Sequence, residues 1–137
     1  MVRKVLVGGV FSLIHKGHVF FLKGAKQFGD YLIVVVASNR TAYLTKKYAV
    51  VDQRIRKENL EKLGIADKVV IGDEIDFMKI VRREKPDVIV LGHDQKISEK
   101  ELKKMLMKNK IDCEIARIKE KLKGYRTSRI IKKNEED

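Results

Sequence analysis

Apolar positions fall in five short blocks along the chain, separated by stretches whose apolar residues recur at helical spacing. The first block, KVLVGGV at 4–10, is a run of β-formers without polar alternation, which predicts a strand covered on both faces. Behind it, residues 16–28 carry Val19, Leu22, Ala25 and Phe28 at helical intervals. YLIVVVAS at 31–38 predicts a second strand apolar on both faces; a helix over 51–63, a strand at KVVIG (68–72), a short helix over 75–84 and a strand at PDVIVLG (86–92) follow. A Lys-rich helix over 98–108, a last strand at CEIARI (113–118) and a short helix after Thr127 complete the pattern. This alternation predicts an α/β fold, a doubly wound parallel sheet in a single domain over 1–131, with a flexible polar tail at 132–137. In such sheets ligands sit beyond the carboxyl ends of the strands, where the winding reverses. Three loops are thereby nominated: GGVFSLIHKGH after the first strand, LGHDQ after the fourth and KEKLKGYRTSRI after the fifth.

Charge adds a partner class to this frame. Thirty-one Lys and Arg against 19 Asp and Glu give a formal charge of +12, and residues 96–133 alone hold 14 basic and 5 acidic side chains. Such an excess attracts anions; a Lys-rich solvated surface is the plain reading of it, a nucleotide or phosphate site the next, and nucleic acid stands behind both. No apolar run approaches the roughly 20 residues of a membrane span, and the start lacks the apolar core of a signal peptide, so the expectation is a cytoplasmic protein without a membrane partner. The single cysteine, Cys113, excludes an internal disulfide and supplies no metal-ligand set.

The loop after the first strand carries the chemistry. Gly8 and Gly9 let the backbone turn and approach a ligand closely, and the helix that starts near Lys16 presents N–H groups and the positive end of its dipole to an anion. His15 and His18, three residues apart across one helical turn, can face the same anion, with Gly17 between them leaving room for phosphates. Neither a dinucleotide fingerprint nor a P-loop is present. Zinc held by the two histidines lacks a third ligand, because the loop has no Asp, Glu or Cys between Gly8 and Lys26. No metal ligand is assigned to the chain.

GVFSLIHKGH, residues 9–18, resembles the signature G-x-F-D-x-x-H-x-G-H of the cytidylyltransferase-like nucleotidyltransferases. The likeness runs on through AKQFGDYLIVVVASN, DQRIRKENLEKLGIADKVVIGD, PDVIVLGHDQ and GYRTSRII, five segments in the family's order. It implies a Rossmann-like nucleotidyltransferase fold and transfer of a nucleoside monophosphate from a triphosphate to a phosphate-bearing acceptor. It implies His15, His18 and Lys46 as catalytic residues, and Gly9, Val10, Phe11, Lys16, Gly17, Gly92, Asp94, Thr127 and Ser128 as nucleotide-binding. Lys47, Arg54, Arg117 and Lys119 would bind acceptor or phosphate, Mg²⁺ would come with ATP, and the protein would be a homodimer. Two departures stand out: Ser12 replaces the family's Asp, and Arg126 replaces a small hydroxyl residue of the closing element.

The chemistry implied is consistent with the residues. No Ser/His/Asp or Cys/His set is evident for covalent catalysis, and a phosphomonoester acceptor is already an anionic nucleophile at neutral pH. Positioning and charge compensation at the α-phosphorus then suffice. Among subfamilies, LGHDQ and ARIKE most resemble the archaeal FAD synthases, which transfer AMP from ATP to FMN. Glycerol-3-phosphate cytidylyltransferase and heptose-phosphate adenylyltransferase are the alternatives, followed by a non-catalytic nucleotide- or nucleic-acid-binding protein.

Overall fold

The computed structural model describes residues 2–46, 51–93 and 95–119. It holds β1 (Lys4–Gly9), α1 (Lys16–Lys26), β2 (Tyr31–Val36), α2 (Asn39–Lys46), α3 (Gln53–Leu63), β3 (Lys68–Ile71), α4 (Phe77–Glu84), β4 (Val88–Leu91), α5 (Glu99–Lys108) and β5 (Glu114–Arg117). The strands form one parallel sheet in the order β3-β2-β1-β4-β5. The doubly wound expectation holds, and the winding reverses between β1 and β4.

The strands read as continuous apolar runs because both faces are covered, and their alternate residues divide between two cores. Val5, Val7, Val34, Val36, Val69 and Val90 pack with Leu22 and Ala25 of α1 and Leu60 of α3. Leu6, Ile33, Val35, Ile89 and Leu91 pack on the other face with Met78 and Val81 of α4 and Leu102 and Leu106 of α5. A one-residue slip of any central strand would exchange these two sets, so the register is tightly specified.

Local chemistry ends the helices where the polar pattern suggests. Asp52, Asp76 and Ser98 cap α3, α4 and α5, the last with Glu101 in a reciprocal capping box. Gly64, at φ 73°, closes α3 in the left-handed conformation that a glycine takes without strain. The sequence pattern did not show α2. Few apolar residues mark it, and it starts from Ser38, whose Oγ accepts from the Thr41 N–H and whose carbonyl accepts from Ala42. The helix expected after Thr127 and the polar tail lie outside the described residues.

Candidate active site

Beyond the carboxyl ends of β1 and β4, the loop 10–15 and the loop 92–98 face each other across the reversal point. His15 is the N-cap of α1: its Nδ1 accepts the N–H of Gly17 at 3.0 Å. His18, three residues on, returns the bond, its Nδ1 accepting the N–H of His15 at 3.2 Å. The H-x-G-H stretch is thus a capping box built from imidazoles in place of the usual Ser and Glu. The two rings stack with centroids 4.0 Å apart.

This cap settles the tautomers. A nitrogen that accepts a backbone N–H cannot carry a proton, so each neutral ring keeps its proton on Nε2, at the edge turned away from the helix end. The two Nε2–H groups thus belong to rings whose planes are tilted by 34° to each other. Sequence reasoning expected the helix start itself to offer backbone N–H groups. Instead, the Gly17 N–H is taken by His15 Nδ1 and the His18 N–H by the His15 carbonyl, so imidazole donors stand in their place.

The glycines serve the histidines. A Cβ on Gly17 would lie 2.8 Å from His15 Cε1 and 3.0 Å from Nδ1, so Gly17 makes room for the capping ring itself, where the sequence suggested room for phosphates. A Cβ on Gly9 would fall 2.8 Å from the Phe11 ring. The left-handed turn in this loop is made by Phe11, at φ 53°, where an aromatic side chain costs about 1–2 kcal/mol. Burial of its ring, 5% exposed and 5.4 Å from the His18 ring centroid, holds it there. Beside it, Ser12 Oγ is buried with no hydrogen-bond partner among the described residues, where the family signature has a carboxylate.

Arg56, which the sequence reading did not single out, is built into the loops around this region. Its side chain is fully buried, and its guanidinium donates to the carbonyls of Val51 (2.6 Å), Val10 and Ala37 (both 2.8 Å) and to Asn39 Oδ1 (3.1 Å). One side chain thereby joins the turn after β1, the end of β2 and the entry to α3. Burial pushes its pKa down, yet an arginine stays charged at any ordinary pH. The arginine singled out beforehand, Arg54, projects outward with its side chain 85% exposed, its Nε 4.0 Å from Asp52. Two residues apart on a helix means opposite faces, and only one of the two can be built in. The signal available was R-x-x-x-L, which places Arg56 on the same stripe as buried Leu60.

Across the crevice, Gln95 ties the two central strands: its Oε1 accepts from Gly92 N at 2.7 Å and its Nε2 donates to the Gly8 carbonyl at 3.3 Å. Arg117, expected at the acceptor, is turned the other way. It donates to the carbonyls of Gly92, Gln95 and Ile97 and to both carboxylate oxygens of Glu99. That occupies all five N–H groups of a guanidinium within the protein itself. Lys16 and Lys119 are exposed, and Gly92 is buried at the end of β4. Lys46 is the last residue of α2; Lys47, Asp94, Tyr125, Arg126, Thr127 and Ser128 lie outside the described residues.

Burial pushes the Cys113 thiol up to about 11, far from a reactive thiolate. Among the described residues, no three His, Cys, Asp or Glu side chains cluster to hold a metal ion.

The family model described as cytidylyltransferase-like matches residues 6–133. The chain is 43% identical over 130 residues to the FAD synthase of Methanothermus fervidus, covering 91% of this chain and 90% of that protein. It is 38% identical over 133 residues to the FAD synthase of Thermoplasma acidophilum, covering 97% and 93%. Among solved structures, one described as a lipopolysaccharide core biosynthesis protein from Thermoplasma volcanium superposes with a TM-score of 0.83 at 40% identity, over 86% of this chain and 97% of that one. Pantoate-beta-alanine ligase from Francisella tularensis shares the fold, with a TM-score of 0.64 at 17% identity over 85% of this chain and 59% of that one.

Proposed function

The chain belongs to the cytidylyltransferase-like family, and we propose that within it the protein is an FMN adenylyltransferase, joining AMP from ATP to FMN to form FAD and pyrophosphate. The observation that carries this reading is the imidazole capping box at the sheet's reversal point, in a chain similar to FAD synthases over nearly its whole length. A phosphate oxygen of FMN attacks the α-phosphorus of ATP in line; the new P–O bond forms as the bond to the bridging oxygen of the β-phosphate breaks, and pyrophosphate leaves. The acceptor phosphate is ionised at neutral pH, so no general base is needed. His15 and His18 donate from Nε2 to the triphosphate oxygens, where charge accumulates in the transition state. A preorganised donor of this kind is worth about 10²–10³ in rate.

The described residues form no set that fits a resident metal ion, so Mg²⁺ enters in this proposal as part of the MgATP substrate, which brings most of its own ligands. Lys46, Lys47, Thr127 and Ser128 are assigned to the phosphates, Asp94 to the nucleoside and Lys119 to the acceptor, on family likeness. A single nucleotidyltransferase domain over 1–131, a homodimer and a cytoplasmic location belong to the same reading. Support for the last is that no described helix is long and apolar enough to cross a membrane. The experiment pairs ATP or CTP with FMN, glycerol-3-phosphate or a heptose phosphate in Mg²⁺, measures pyrophosphate and identifies products by mass. FAD from ATP and FMN alone, lost in His18→Ala, is the expected result; no pyrophosphate from ATP and FMN overturns the proposal.

A further inference from the structure

The loop after β4 contains Gly92, with its N–H and carbonyl both committed, and carbonyls of Gln95 and Ile97 that accept from Arg117. A loop of this length without regular structure is ordinarily held loosely. Here a single side chain from the last residue of β5 gathers it at Gly92, Gln95, Ile97 and Glu99 with bonds of 2.6 to 3.2 Å, and that side chain is only 14% exposed. The Glu99 carboxyl is held below its ordinary value chiefly by the bond from Arg117, so the pair is charged at neutral pH. Gln95 then couples the gathered loop to Gly8 on β1, next to the turn that leads to the histidines.

We propose that Arg117 is a positioning residue for the nucleotide, which acts by holding residues 92–93 and 95–98 as a wall that meets the nucleoside, and that Gln95 sets the distance of this wall from the histidine pair. The inference rests on the reading that a nucleoside triphosphate binds at the His15 and His18 donors. With its phosphates there, on the β1 side of the crevice, the nucleoside extends to the opposite side, which the 92–98 loop forms. Base selectivity then depends on where the loop backbone lies, and that position is set by a residue that need not touch the substrate.

The test measures equilibrium binding of MgATP and MgCTP to the full chain without acceptor, and steady-state constants for ATP and FMN, in Arg117→Lys. A lysine brings at most three donors from one atom and cannot span these carbonyls. The expected result is MgATP binding weakened at least tenfold, MgCTP weakened less than threefold, so that the selectivity ratio falls, and a KM for FMN within twofold of wild type. A raised KM for FMN with unchanged MgATP affinity would make Arg117 an acceptor ligand and overturn the inference. Equal losses for both nucleotides, or no change, would overturn it as well. If Arg117→Lys does not fold, Gln95→Met is read by the same split. A wild-type protein that binds MgATP but makes no FAD overturns the FMN assignment alone; one that binds no nucleotide overturns both.

Discussion

Replacing Gly17 by alanine separates two roles for the glycine in the histidine motif. The added Cβ would stand 2.8 Å from His15 Cε1 and 3.0 Å from Nδ1, inside any permitted contact, so the His15 ring must swing off the cap. The bond from Gly17 N to His15 Nδ1 is lost, a cost of about 1 kcal/mol for an N-cap. Alanine in place of glycine near a helix start returns a similar amount, up to about 1 kcal/mol. Net stability should therefore move by no more than roughly 1 kcal/mol, a few degrees in Tm for a chain of this size. Catalysis has no such compensation. With His15 displaced, one of two Nε2–H donors leaves the position where charge develops, and kcat should fall about 10²–10³-fold, equivalent to about 2.7–4 kcal/mol. Initial rates of FAD formation over an ATP titration, alongside thermal unfolding by circular dichroism, report both quantities. The reasoning is refuted if kcat stays within threefold while the KM for ATP rises tenfold or more, because that pattern means the glycine clears space for phosphates and the cap is incidental.

Arg56→Met removes a buried guanidinium from three carbonyls and Asn39. Stranded carbonyls cost about 1–3 kcal/mol each, and relief of the buried charge returns part of this, so a net loss of roughly 2–4 kcal/mol is expected in urea unfolding; a midpoint equal to wild type would show that water replaces the arginine. Ser12→Ala deletes a hydroxyl that has no partner among the described residues, and Tm should hold or rise by an amount equivalent to up to about 1 kcal/mol; a clear drop would reveal an unseen bond. Glu84, 6% exposed, would be raised by burial, but bonds from Lys68 and Arg83 bring its pKa below the ordinary value. Its contribution is therefore fully present above the unfolded value of about 4.3 and lost as pH falls through the folded one. The Tm gap between wild type and Glu84→Gln should accordingly close between pH 7 and pH 3, and a gap unchanged across that range would contradict the pairing.

Much of this molecule could be read along the chain. Strands buried on both faces need no cross-strand information to be recognised, since each is a block of Val, Ile and Leu between polar helical stretches, and the alternation of the two element types leaves few topologies. The histidine loop was equally legible, because its chemistry is local: cap, glycine and both imidazoles lie within four consecutive positions. Tertiary structure decided which long side chains are built into the fold around the loops. Arg54 and Arg56 differ by two positions and by opposite helix faces, and a buried cation is distinguished from a solvated one only by the carbonyls of distant loops that close around it. The sequence marks Arg117 as a basic residue at a strand end, and only the fold shows its donors engaged by the loop after β4. Polar groups find partners wherever the fold brings them, and a linear pattern of hydrophobic spacing carries no record of those meetings.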